Sequence, residues 1–221
     1  MKLLSPRLEL LKNWVTPCEK LADVGCDHGY LICHLLQSGT IKKGYACDIS
    51  APSLQKAANL AKKSGLELEC ICTDGLKDVP PCNTVVIAGM GGILIADILA
   101  ACSWIKDSDV TLLLQPMRHP ERLRAFLYQN GFCCVREACV CDSGRYYVAM
   151  QAVYTGQKST LSSADSHLGL LEGDTTPQAV AYFSRLYHQM QISIDANKQA
   201  GRDVSQAEKL LWEIKIRRGE I

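Results

Sequence analysis

The 221-residue sequence has almost no excess of charge: 24 Lys and Arg stand against 23 Asp and Glu, for a net charge of +1. A chain so balanced has no global attraction for a polyanion or an acidic bilayer, so any basic surface has to be local. The sequence reads as having no signal peptide and no apolar run of membrane-spanning length. None of its twelve cysteines forms a Cys-x-x-Cys pair. Without such knuckles or a His cluster there is no ligand set for structural zinc, and no metal is expected. The cysteines fall instead in apolar strand-like runs, "LELECIC" and "GFCCVREACVCDSG", where Cys70 and Cys72, or Cys139 and Cys141, share a strand face. Free, buried or half-buried thiols in a chain this long point to a cytoplasmic location.

What is present is a hydrophobic fraction of 48%, enough for a core of ordinary size. Apolar "KLADVG" predicts a buried first strand and "HGYLICHLLQSG" a helix closed by Gly39. "KGYACDI" is a second strand, followed by a well-marked helix with Ser50 as N-cap, Pro52 in its first turn and Gly65 past its end. "LELECIC", "NTVVIAG" and "VTLLLQP" are further strands. "GILIADILAACSW" and "PERLRAFLYQNG" are helical, the latter with Glu121, Arg122 and Arg124 on a solvated side.

Buried strands separated by helices imply right-handed βαβ units and a parallel sheet covered on both faces. "FCCVREACVCDSGRYYVAMQAVY" leaves no room for a crossover helix, and its centre "DSGR" is turn chemistry, so it predicts an antiparallel hairpin. An open Rossmann-like α/β sheet ending in such a hairpin is the arrangement of class I methyltransferases, assigned to residues 1–157. Residues 158–175, rich in Ser, Thr, Gly and Asp, read as a linker with at most one short turn. Residues 176–221 read as an appended helical hairpin. Ala179, Phe183, Leu186, Tyr187, Met190 and Ile194 recur at helical spacing after Thr176 and Pro177, and Asp203 and Gln206 resemble a capping box for the second helix. The hairpin is either a packing element or an arm that grips a substrate.

In an open parallel sheet the ligand sits at the carboxyl ends of the central strands. There "LADVGCDHGYL" places Asp23, Gly25, Asp27, His28 and Gly29. A dinucleotide fingerprint would need a third glycine, and two carboxylates would repel a pyrophosphate. S-adenosylmethionine has no phosphate and carries a sulfonium, an ammonium and two ribose hydroxyls, so acidic residues suit it. Asp23 and Asp27 fit the ammonium. Asp48, with Ile49 beside it, fits the ribose, and Asp74 with Gly75 fits the adenine amino group. In the glycine-rich stretch of residues 88–92, Ala88 and Gly89 border the cofactor. The carbonyls of Gly89, Met90 and Gly91 could take an acceptor's amino hydrogens, the glycines permitting close approach. Gln115 and Pro116 line the same mouth, and Tyr147 in the hairpin could stack or hydrogen-bond there.

The runs "DVGCDHGYL", "CDIS", "DGL", "VVIAGMGG", "LLLQPMRHPERLR" and "GRYYV", together with "LSPRLELL", resemble the bacterial tRNA adenine-N1 methyltransferase family TrmK, which acts at adenine 22. The likeness runs from about Leu4 to Tyr154 and is architectural over the helical tail. It implies S-adenosylmethionine as cofactor, tRNA as partner, and direct displacement by adenine N1. It departs at Met117, where the family's pattern carries Asn, and in the linker, which lacks a Gly-Pro-Phe-Leu run. RNA affinity then has to come from local basic residues, for which Arg7, Arg118, Arg122 and Arg145 are the leading candidates, with Arg124, Lys42 and Lys43 behind them. A monomer or weak dimer is expected. The alternatives are a methyltransferase acting on a small molecule or protein, which needs no positive mouth, and a non-catalytic module binding S-adenosylmethionine or RNA.

Overall fold

The structure, a computed structural model, describes residues 3–221. Seven strands form one sheet: β1 (Cys18–Val24), β2 (Ile41–Asp48), β3 (Glu69–Cys72), β4 (Thr84–Gly91), β5 (Thr111–Arg118), β6 (Phe132–Asp142) and β7 (Arg145–Tyr154). Their order is β3-β2-β1-β4-β5-β7-β6. The first five are parallel, and the β6–β7 hairpin adds to β5 antiparallel. The strand order reverses between β1 and β4, which places a crevice beyond their carboxyl ends. The hairpin turns through Ser143 and Gly144, both at positive φ (52° and 73°), the conformation a two-residue type I′ turn requires.

Among the described residues, eight α-helices pack on the sheet or on one another: α1 (Pro6–Trp14), α2 (Tyr30–Gln37), α3 (Ala51–Lys63), α4 (Gly92–Ala100), α5 (Pro120–Gln129), α6 (Ser163–Leu168), α7 (Pro177–Gln199) and α8 (Ser205–Arg217). One face carries α1, α2 and α3, whose Leu11, Trp14, Ile32 and Leu54 pack with Leu21, Val86 and Leu113. The other face packs Ile95 and Leu127 on Val85 and Leu112, and the same core continues into Phe183, Tyr187 and Ile214 of the tail. The predicted helix after the second strand starts as its signals require, with Ser50 Oγ accepting from the Ser53 N–H.

Four expectations are corrected. Helix α1 falls where no element was predicted; Ser5 precedes Pro6 at its first position, and its Leu11 and Trp14 are buried. The stretch read as a linker holds α6, closed by a reciprocal Ser162–Asp165 capping box, and its Ala164, Leu168 and Leu171 are core residues. It is pinned from the far end of the chain: Arg217 pairs with Asp165 and Glu172, both at 2.7 Å, and Arg218 donates to three carbonyls between Leu171 and Asp174. Asp203 does not form a capping box with Gln206; it accepts from the Ser205 N–H at 2.9 Å, a local turn ahead of α8.

The fourth correction concerns Arg124, which is wholly buried rather than solvated. Its guanidinium forks onto Glu137 of β6 (Nε–Oε1 2.9 Å, Nη2–Oε2 2.8 Å), and Nη1 donates to the carbonyls of Ser166 and His167 in α6. A buried charge persists only when paired and hydrogen-bonded, and here all three nitrogens are satisfied. Burial lowers the guanidinium pKa, but the Glu137 charge and hydrogen bonds outweigh it and keep Arg124 protonated.

Candidate active site

The turn after β1 is built by backbone. The N–H groups of Gly25 and Cys26 both donate to Cys47 O, and Gly29 N–H closes back onto Cys26 O. Such winding needs left-handed conformations at Gly25 (φ 73°), Asp27 (46°) and Gly29 (67°). A Cβ on Gly29 would lie 2.7 Å from the Ala57 Cβ, so that glycine also lets α3 approach closely. A Cβ on Gly25 would meet the Met90 methyl at 2.2 Å. The side chain of Met90 therefore lies across the turn expected to receive a ligand.

Asp23, Gly25, Asp27, His28, Ala88 and Gly89 share one cleft of about 270 Å³, with Arg7 and Tyr30 on its walls. Asp48, Ile49, Asp74 and Gly75 lie outside that lining, at the adjoining strand ends; the Thr73 N–H donates to Asp48 O and holds the two ends together. Asp23 is buried. Loss of solvent, and secondly the charge of Asp48, push its carboxyl up to about 7. Asp48 accepts from the N–H groups of Asp27 (3.2 Å) and Ser50 (2.9 Å), so it organises the turn while keeping lone pairs for a ligand. Ile49 is 74% exposed and offers an apolar side chain beside it. Asp27 and His28 face each other on the surface (2.6 Å), and the His28 ring stacks on Tyr30. Gly75 takes φ 65°, and a Cβ there would press on Ile98, which gives that glycine a packing reason as well.

The second half of the site is a break in β4. Its pairing with β5 shifts register between Ala88 and Met90 and again between Met90 and Gly91, with Gly89 at φ 80°. The expected loop is thus a bulge within a strand that runs directly into α4, and bulges of this kind re-aim backbone groups beside active sites. Gly92 must be small: a Cβ there would sit 2.3 Å from His119 O.

Gln115, expected to line the mouth, is completely buried. Its Oε1 accepts from Arg7 Nη1 at 2.9 Å and from the Gly89 N–H at 3.3 Å, while its Nε2 donates to Pro116 O at 3.0 Å. Arg7 in turn donates from Nε to Asp142 (2.7 Å) and contacts Met117 Sδ (3.1 Å), and its guanidinium lies 5.1 Å from the centre of the Tyr147 ring. Burial pushes the Asp142 carboxyl up, but hydrogen bonds from Arg7 and Ser143 outweigh it and hold the group below its usual range. Arg7 is therefore tied into the site rather than free on the surface. Asp142 went unnoticed in the sequence because it ends β6, 135 residues away from its partner.

Of the other basic candidates, Arg118 and Arg145 border a second cavity next to Met117 and Tyr147. Arg122 is exposed on α5 outside it. Lys42 and Lys43 lie at the opposite end of the sheet, paired with Glu19 and Glu69. Arg124 is enclosed. Among the described residues no cluster of His, Cys, Asp or Glu could hold a metal, and no helix is long and apolar enough to cross a membrane.

A deep acidic cleft with a cation-seeking carboxyl, two further carboxylates at strand ends and no glycine-rich phosphate cradle fits S-adenosylmethionine better than a dinucleotide. Comparison with known proteins bears on the same point. A family described as a methyltransferase domain matches residues 4–150. The tRNA (adenine(22)-N(1))-methyltransferase of Bacillus subtilis (strain 168) is 26% identical over 229 residues, covering 96% of each chain. The crystal structure of the B. subtilis m1A22 tRNA methyltransferase TrmK superposes with a TM-score of 0.80 at 26% identity, covering 98% of this chain and 96% of that one. Streptococcus pneumoniae Sp1610 in complex with S-adenosyl-L-methionine gives 0.81 at 26% identity, covering 96% and 99%. With the family match spanning sheet, acidic cleft and glycine bulge alike, the chain belongs to the methyltransferase-domain family.

Proposed function

We propose that the protein methylates N1 of adenine 22 in tRNA, with S-adenosylmethionine as methyl donor. The observation that carries this reading is that Gly89 of the β4 bulge and Asp23 of the acidic turn line one cleft, so a cofactor held by the second abuts an acceptor held by the first. The choice of acceptor rests on similarity along nearly the whole chain to the B. subtilis enzyme.

When bound, S-adenosylmethionine supplies an electrophilic methyl group. The chain's residues hold and orient. Asp23, ionised by a cationic neighbour, takes the ammonium; Asp48 takes the ribose hydroxyls with Ile49 against the ring; Asp74 accepts from the adenine amino group. Adenine N1 has an in-plane lone pair, so no side chain has to remove a proton from it, and no general base is assigned. The product base is cationic, and the carbonyls of Gly89, Met90 and Gly91 suit both its charge and its amino hydrogens. Gln115 accepts from the Gly89 N–H and so holds the bulge in place, and Arg7 donates to the same oxygen. N1 lies on the pairing edge, so the nucleotide has to leave its stack to reach the cleft.

The test is incubation with labelled S-adenosylmethionine and unmodified tRNA, followed by nucleoside mass spectrometry, with Asp48→Ala alongside. The expected result is 1-methyladenosine at position 22, lost in the variant. Cofactor binding with methyl transfer elsewhere, or to no nucleoside, overturns the choice of acceptor.

A further inference from the structure

A second cavity opens beside the acidic cleft. It is a groove of about 680 Å³ between the end of β5, the hairpin turn, the start of α5 and the flank of α7. Four arginines line it: Arg124 is buried and paired with Glu137, and the other three come from separate elements, Arg118 closing β5, Arg145 opening β7 and Arg185 on the tail helix α7. All three are exposed, and among the described residues none of them has an ion pair. Several basic residues elsewhere, among them Lys42, Lys43, Lys198 and Arg217, each meet a carboxylate. The acidic residue in the groove, Glu121, faces His119 at 3.2 Å rather than any of the arginines. With a net charge of +1 for the chain, this concentration is local.

The groove also begins where the acidic cleft ends. Met117 and Tyr147 line it, and both touch Arg7, which lines the cleft beside Gly89. A strand whose adenine entered at Gly89 would leave the cleft past Arg7 and run directly between the three guanidinium groups. Guanidinium groups gathered without counter-charges suit a chain of phosphates, to which each can offer a planar fork of donors.

We infer that this groove binds the sugar–phosphate backbone of the RNA flanking the target adenine, with Arg185 of the tail forming one wall and Arg118 and Arg145 the other. The inference deepens the reading given under Proposed function and rests on it. It also gives the tail a defined role, because α7, which packs on β6, β7 and α8, completes the substrate groove.

The experiment measures binding of unmodified tRNA without cofactor, across a salt series, for wild type, Arg185→Gln, Arg185→Lys and Lys42→Gln, with S-adenosylmethionine binding as a check on folding. Arg185→Gln is expected to weaken tRNA binding about tenfold, the value of one charge-assisted hydrogen bond. It should also reduce the slope of log K against log salt by about 0.7–0.9, one phosphate contact. Arg185→Lys should keep the slope, and Lys42→Gln, at the far end of the sheet, should change neither quantity. An Arg185→Gln protein with wild-type affinity and slope overturns the inference, as does equal weakening by Lys42→Gln. If Arg185→Gln loses affinity while wild type makes no 1-methyladenosine at position 22, the groove stands and the acceptor assignment falls.

Discussion

Arg7 Nη1 and Gly89 N–H converge on a single oxygen, Gln115 Oε1, at 2.9 and 3.3 Å. A buried amide thus joins the N-terminal helix to the bulge proposed above to face the acceptor. Gln115→Leu, close in volume, removes that acceptor from both donors and leaves the Gly89 N–H without its partner, while Arg7 Nη1 keeps only Met117 Sδ. The expected result is a fall in kcat of about a hundredfold, the cost of misplacing an acceptor by about 1 Å, with the KM for tRNA and the cofactor affinity little changed. Steady-state kinetics with unmodified tRNA check it. A rise in KM with kcat preserved would assign Gln115 to substrate binding instead.

With Asp23 taking the ammonium, as proposed, cofactor binding acquires a pH dependence. In the free protein its carboxyl titrates at about 7, raised by burial and then by Asp48. A cationic ligand favours the ionised form, so binding releases a proton near neutrality, and affinity rises as pH climbs to 7 and levels off above it. Calorimetry at pH 6, 7 and 8 should show about tenfold weaker binding one unit below the titration. Asp23→Asn should bind weakly at every pH, without the slope. The stability linkage has the opposite sign. Because the folded value lies above the ordinary carboxyl value of 3.8, the native state holds the proton more tightly than the unfolded chain does, and stability is lost as pH rises from about 4 to 7. Asp23→Asn should therefore have a higher Tm than wild type at pH 8.

The buried pair of Arg124 and Glu137 yields a stability test. Arg124→Leu leaves Glu137 as an unpaired enclosed carboxylate and frees the Ser166 and His167 carbonyls, a loss of about 3–5 kcal/mol. Glu137→Leu added to it should recover part of that loss, since no buried charge is then stranded. Urea unfolding of the three proteins measures both. Proteolysis should cut the Arg124→Leu protein first around residues 157–175, where α6 has lost its tether.

These outcomes mark where the sequence was legible. Strands of Val, Ile and Leu between helices with Ser50, Pro52 and Gly65 at their ends disclose the βαβ order because each signal is local, and "DSGR" discloses its hairpin in the same way. Asp23 and Asp48 could be named because the strand ends where they stand are themselves set by the pattern. Arg124 could not: with Glu121 and Arg122 just before it, the run reads as a charged, solvated side, and its partner Glu137 becomes visible only when β6 folds against α5. The Ser162–Asp165 box was written in a stretch whose Ser, Thr and Asp content reads as loop. Only the burial of Ala164 and Leu168 by distant parts of the chain makes it a helix. Helix α1 carried its own start signal in Ser5 and Pro6. Its nine residues are too few, and their apolar face too mixed with charge, to stand out from a terminus.

Adjacent glycines at the end of the bulge should separate stability from chemistry. Gly91 has an ordinary extended backbone and open space where a Cβ would be, whereas a Cβ on Gly92 would strike the His119 carbonyl at 2.3 Å and the Arg118 carbonyl at 3.0 Å. Those are backbone atoms of the connection between β5 and α5, so Gly92→Ala has to push α4 away from it. Overpacking of this kind costs about 1–3 kcal/mol, and it should lower Tm and weaken tRNA binding together, because Arg118 moves with the connection. Gly91→Ala should keep the wild-type Tm and cofactor affinity, since nothing is displaced. If the carbonyls of this bulge take the adenine amino group, the added methyl stands in the acceptor's approach and kcat/KM for tRNA falls about tenfold. Thermal melts and kinetics on the two variants decide it: a Gly91→Ala protein as active as wild type would place the acceptor away from the bulge, against the reading built on Gly89.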